Sequence, residues 1–264
     1  MASCPVARAN QYNAAMPQEA NIPAGRRRYQ IVDLMRGVAI ALMIAYHFSF
    51  DLNYYGFIEQ DFYEGRFWIG FRVIIVSLFL GLVGVSLVLA HARGFRPRPY
   101  FRRLGILVAC AALVSLGSWL MFPKSMIFFG ILHFIAVASV LGLLFLRLHW
   151  LNLLLGAALV AIGISFAHPR FDQPGWQWLG LVTRKPVTED YVPLLPWFGV
   201  VLIGIFLGRV LFLRPGVSWL ADWRSAHPLA RLGSLAGRHS LLIYMVHQPI
   251  LLGLLYLPYW LVRT

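Results

Sequence analysis

The sequence predicts an all-α fold, a polytopic transmembrane helix bundle of about seven spans with a cytoplasmic N-terminus. Three observations carry this expectation. The chain of 264 residues is 59% hydrophobic and only 12% charged, whereas a soluble domain averages about 25% charged residues. The apolar residues gather in long runs, and a helix needs roughly 20 of them to cross the hydrocarbon core. Finally, arginines and acids fall on opposite sides of those runs.

Each element follows in order. Residues 1–28 are polar and rich in Pro, Gly and Ala, and lack the apolar core of a signal peptide. They read as a disordered cytoplasmic tail, with one transmembrane domain over 29–264. The expected spans are Leu34–Phe50, Phe67–Ala90, Leu104–Phe122, Met126–Leu146, Trp150–Ala167, Leu194–Leu213 and Ser240–Val262. The loop "HARGFRPRPYFRRLG" is strongly basic. The segment His168–Trp197, with its prolines and aromatics, reads as an ordered lid or interfacial segment. The stretch from Arg214 to Ser240 contains an amphipathic part with two tryptophans, suited to the membrane interface. Gly204 and Gly208 form a GxxxG, a helix-packing face. No internal repeat is evident, so an inverted-repeat transporter is not indicated.

Net charge is +13. In a soluble protein this would suggest nucleic acid, but the distribution decides otherwise. With the N-terminus inside, Arg36, Arg93, Arg96, Arg102, Arg103, Arg147, Arg214 and Arg238 all lie on the cytoplasmic side. Asp51, Asp61, Glu64, Asp172, Glu189 and Asp190 lie opposite, a positive-inside pattern. Cys4 and Cys110 have no plausible disulfide partner, and no metal-ligand spacing exists.

Ionisable residues inside spans are costly and mark candidate sites. These are Arg36, His47, Arg72, His133 and His247, with Asp51 at a helix end. Arg36 and His47 differ by 11 positions, about 20° on the helical wheel and about 16 Å of rise. Asp51 lies one turn beyond His47, as a base–orienter pair requires. His133 falls near the estimated depth of His47. His247 shares a face with Ser240 and Tyr244, and Pro249 then bends that helix. Three histidines on three helices thus have the depth to meet in one cavity. The bland readings stand beside this one. A membrane histidine can hydrogen-bond a neighbouring helix, Arg36 can snorkel to lipid phosphate, and Arg72 can pair with Asp51 or Asp61.

The segment "RRYQIVDLMRGVAIALMIAYHFSFDL" resembles the opening signature of the heparan-α-glucosaminide N-acetyltransferase catalytic-domain family, in its short bacterial branch. The resemblance continues through "FWIGFRVIIVSLFLGLVGVSLVLAHARG", "FFGILHFIAVASVLGLLF", "LLPWFGVVLIGIFLGR" and "LGSLAGRHSLLIYMVHQPILL", so it covers nearly the whole chain from Arg28. It implies a multi-pass protein of a bacterial inner membrane. It also implies transfer of acetyl from cytosolic acetyl-CoA to an amine or hydroxyl of an extracytoplasmic sugar or glycan, with no metal.

On that resemblance His47 takes the catalytic role, with Asp51 orienting it. Arg36 (its position set by Asp33), Arg102, Arg103 and Arg238 become candidates for the CoA phosphates. Arg72, His133, Tyr244 and His247 become candidates for binding the acceptor or polarising the thioester. General-base and acetyl-histidine routes both remain open. Two other classes compete: a transporter or flippase, and a haem-binding redox protein, which a Soret band would reveal.

Overall fold

The computed structural model describes residues 28–214 and 218–263. The expected tail and Cys4 lie outside the described residues. Among those residues there are nine α-helices: α1 (Gln30–Tyr54), α2 (Arg66–His91), α3 (Pro97–Met121), α4 (Ile131–Phe145), α5 (Leu151–Ser165), α6 (Leu194–Phe212), α7 (Ser218–Asp222), α8 (Pro228–Arg238) and α9 (Ser240–Arg263). No strand of a sheet occurs among them; one bridge joins Phe129 to Tyr191.

Five helices are long and apolar enough to cross a membrane: α1, α2, α3, α6 and α9. Seven spans were expected, and the other two are where the structure differs. α4 and α5 have 15 residues each, about 22 Å of helix against a core of about 30 Å. The run Met126–Leu146 is not one helix. Its first part is extended and takes its hydrogen bonds from the loop after α5. The Glu189 N–H donates to the Ser125 carbonyl, and the Val192 N–H to the Phe129 carbonyl, at 3.0 and 3.2 Å. The Thr188 hydroxyl donates to the Met126 carbonyl at 2.9 Å. Irregular backbone at membrane depth is tolerated when protein satisfies it in this way.

Local sequence explains the helix starts. Pro97 opens α3 and Pro228 opens α8, where a missing N–H costs nothing and φ is already helical. The His227 ring accepts the Leu229 N–H as a side-chain cap at 3.3 Å.

The main core lies between α2, α4 and α6, where Leu80, Phe134, Val201, Leu202 and Ile205 are fully buried. The GxxxG of α6 lies on this seam. A Cβ at Gly204 would run into the Gly81 carbonyl, and one at Gly208 would touch Val85, so the small residues set how closely α2 and α6 approach. A second core joins Ile40, Met43 and Tyr46 of α1 to Ile75 and Phe62. A third joins Leu107 and Ala111 of α3 to Leu132 and Ala136 of α4, with Leu241 and Met245 of α9 against it.

The segment expected to be amphipathic contains α7 and α8. α8 turns Ser234 and Gly237 inward and leaves Leu229, Leu232 and Leu235 exposed. α9 continues through both Pro249 and Pro258. The long loop between α5 and α6 is ordered, as expected. Asp172 pins it by accepting the Thr183 N–H at 2.7 Å and the Thr183 hydroxyl.

Candidate functional site

Of the ionisable residues singled out in the spans, Arg36 lies toward one end of α1, His47, Asp51, Arg72 and His247 gather toward the other, and His133 stands apart. At the Asp51 end, α1 and α9 meet. The His47 and His247 rings stand edge to face with centroids 5.0 Å apart. The Tyr244 ring is 5.6 Å from His247. His247 Nδ1 is 2.7 Å from the Tyr244 carbonyl. A carbonyl can only accept, so Nδ1 carries the proton and Nε2 presents a lone pair. That Nε2 is buried without a partner. His47 makes ring contacts with Tyr46 and His247.

Asp51 is 1% exposed. Its Oδ1 accepts from Gln248 Nε2 at 2.8 Å. Its Oδ2 has no partner, nor has Gln248 Oε1. The expected pairing of Asp51 with His47 is therefore replaced by one with Gln248, the neighbour of His247. Buried polar groups are normally satisfied. Asp51 Oδ2, His247 Nε2 and Gln248 Oε1 are thus three buried polar atoms of α1 and α9 left without a partner.

Around this pair sits a second ring of polar residues. The Tyr244 hydroxyl bonds the Asp190 carboxylate. Asp190 Oδ2 also accepts the Ile131 N–H at 2.8 Å, so this loop residue caps the start of α4, where a carboxylate complements the helix dipole. A Cβ on Gly130 would collide with that carboxylate. Burial lifts the Asp190 carboxyl above its ordinary range, opposed by the Ile131 N–H and by the nearby charges of Lys185 and Arg72. Burial likewise lowers Lys185, with Arg72 adding to it. Arg72 in turn hydrogen-bonds the Tyr46 hydroxyl, and Tyr46 is next to His47. The contacts thus close a circle through α1, α2, the loop and α9. The expected pairing of Arg72 with Asp51 or Asp61 is replaced by a hydrogen bond to Tyr46 and a charge interaction with Asp190.

His133 takes a different part. Its Nδ1 accepts the Gly130 N–H at 3.3 Å. Its Nε2 lies 3.1 Å from the Ser115 hydroxyl, which itself donates to the Ile127 carbonyl. Both ring nitrogens are engaged in holding the extended segment to α3, so His133 is not brought into the histidine pair.

At the opposite end of α1, Asp33 accepts from Arg36 at 2.8 Å and from Arg238 at 3.4 Å. Arg36 also donates to the Ser86 hydroxyl at 2.6 Å. One terminal nitrogen of Arg36 thus holds Asp33 on its own helix, and the other ties α1 to α2. Arg238 also lines a cleft of about 330 Å³, together with His239, Leu241, Met245 and Cys110. Tyr244 lies on the same stretch of α9 as that lining, about 60° around the helix from Leu241. Arg103 lines a separate, smaller cleft on the α2 side of α3, and Arg102 is exposed beside it. Structure thus divides the four arginines grouped by sequence.

Four residues of the site escaped the sequence reading: Tyr46, Lys185, Asp190 and Gln248. Gln248 had a visible signal, a buried-type polar residue beside His247. Asp190 had none, because nothing local says that an outer-loop acid turns inward. Among the described residues, no group of three or more His, Cys, Asp or Glu is placed to hold a metal.

Comparison with known proteins gives one match. The family described as "Heparan-alpha-glucosaminide N-acetyltransferase, catalytic" matches residues 28–249, from the start of α1 to just past Gln248. No curated protein and no solved structure matches the chain.

Proposed function

The chain belongs to the heparan-alpha-glucosaminide N-acetyltransferase catalytic family, and from that premise we propose that it moves an acetyl group from acetyl-CoA to a sugar amine or hydroxyl across a bacterial inner membrane. The donor enters at the Arg36 end, which faces the cytoplasm. The acceptor, a sugar or glycan, enters at the Asp51 end. One observation supports this most: buried, unsatisfied polar atoms around a histidine pair, on the same helix as a cleft that ends in a cation.

In this reading Arg238 and His239 receive the CoA phosphates, and Arg36 holds Asp33 and Arg238 in place. The cleft wall of Leu241, Met245 and Cys110 would flank the long, thin pantetheine arm. His47 takes the proton of the acceptor as its nitrogen or oxygen bonds to the acetyl carbon. The carbon–sulfur bond breaks, and the proton passes from His47 to the departing thiolate. His247 Nε2 accepts a hydrogen bond from the protonated His47, and the charge of Asp51 steadies it. Arg72 and Lys185 line the acceptor side, with Tyr244 held by Asp190. His133 serves as scaffold.

Calorimetry tests the donor half. Acetyl-CoA should bind the detergent-solubilised protein in the micromolar range, and Arg238→Gln should weaken it at least tenfold while the protein melts as before. Absence of binding by folded protein would turn the account toward a transporter.

A further inference from the structure

We propose that the small cleft between the end of α2 and the start of α3 is a site for the phosphate of an anionic phospholipid. Its polar wall is His91, Arg96 and Arg103, and its floor is Leu87, Leu104 and Leu107. Arg96 is the extended residue that precedes α3 and Arg103 lies in the second turn of that helix, and both line the cleft. The Arg96 carbonyl accepts the Tyr100 N–H at 3.2 Å, and its guanidinium has no hydrogen bond or ion pair among the described residues. No acid occurs in the sequence between Glu64 and Asp172, so no carboxylate of this stretch competes for the Arg96 guanidinium. His91 Nδ1 is tied to the Leu87 carbonyl at 2.7 Å, and its ring stacks on Phe95 at 5.6 Å. Tyr100 closes one side by donating to the Ser139 carbonyl at 3.2 Å.

Size separates this cleft from the donor cleft. It encloses about 50 Å³, and a water-sized group takes roughly 10–15 Å³ on the same measure. A phosphate group fits; a nucleotide does not. The cleft at Arg238 is about 330 Å³, within the size range of sites that take a whole small ligand.

The surroundings argue for a lipid phosphate over a free one. Phe95 and Phe101, whose rings meet that of Tyr100, are 52% and 60% exposed, as in the aromatic belts at membrane surfaces. Behind the cations the floor is leucine, which suits an acyl chain. Basic pockets between membrane helices bind anionic headgroups in this way.

Melting of the purified protein in zwitterionic detergent tests the site. Phosphatidylglycerol at about a hundred times its Kd should raise Tm by about 5 °C. Phosphatidylcholine and millimolar inorganic phosphate should not. Arg96→Gln should lose most of the shift yet bind CoA within about twofold of wild type. Should that variant fold poorly, Arg96→Lys keeps the charge and should keep most of the shift. An equal shift in the Gln variant, or an equal shift with phosphatidylcholine, overturns the proposal. So does a shift with inorganic phosphate alone. Loss of CoA affinity in the Gln variant also overturns it, by assigning the cleft to the donor. If wild type binds no CoA at all, the acetyltransferase reading fails while the lipid comparison still decides this site.

Discussion

His47 and His247 carry the chemistry in this account, and each has a separate consequence. His47→Gln keeps the volume of the ring without its basicity, and should lower kcat by about 10²–10⁴-fold, the usual worth of a positioned acid–base group. Asp51→Asn retains an acceptor for Gln248 but removes the charge. It should lower kcat and leave the KM for acetyl-CoA unchanged in steady-state kinetics. Asp190 acts differently, because it holds two donors, the Ile131 N–H and the Tyr244 hydroxyl. Asp190→Ala leaves both unpaired and should cost about 1–3 kcal/mol per stranded group, seen as a lower Tm. Asp190→Asn should recover part of it, since its amide oxygen still accepts. The sequence made His47 and His247 legible because a charged or polar residue inside an apolar run is visible by itself. It left Asp190 and Lys185 hidden, because an acid or lysine in an outer loop looks solvated until the loop's path is known.

Helices and loops set these residues in place. The spans were readable from hydropathy because five of them are long, unbroken and apolar. The two short helices were not, since hydropathy reports burial and is blind to backbone shape. "MIFFG" is as apolar as the helix it precedes, yet residues 188–192 bind it as an extended segment. Gly204 on α6 was legible through its GxxxG spacing. Gly204→Val drives a branched side chain into the Gly81 carbonyl of α2, and should yield protein that aggregates on size exclusion. The outer loop should respond to acid. Hydrogen bonds from Thr183 hold the Asp172 carboxyl below its usual 3.8. A depressed folded pKa gives stability that is present above the unfolded value and lost as pH falls through the folded one. Limited proteolysis within residues 166–193 should therefore quicken below about pH 4, and Asp172→Asn should show the fast cleavage already at pH 7.

Across the whole molecule the proposed function divides the labour between two clusters at two surfaces. α1 joins them, with Arg36 and Asp33 at one end and His47 and Asp51 at the other, about 16 Å of rise apart along the helix from Arg36 to His47. Core packing among α2, α4 and α6 leaves α1 and α9 to frame the site from one side. The proposed topology puts the basic end inside, as the charge distribution favours. The central claim is that the His47 cluster transfers acetyl from acetyl-CoA to a sugar. The most direct measurement is transfer of radiolabelled acetyl from acetyl-CoA to amino-sugar and glycan acceptors by purified protein in liposomes. Wild type should be compared with His47→Gln of matching Tm and elution volume. The account predicts labelled product from wild type and at least a hundredfold less from the variant. A folded His47→Gln variant with wild-type transfer would contradict it.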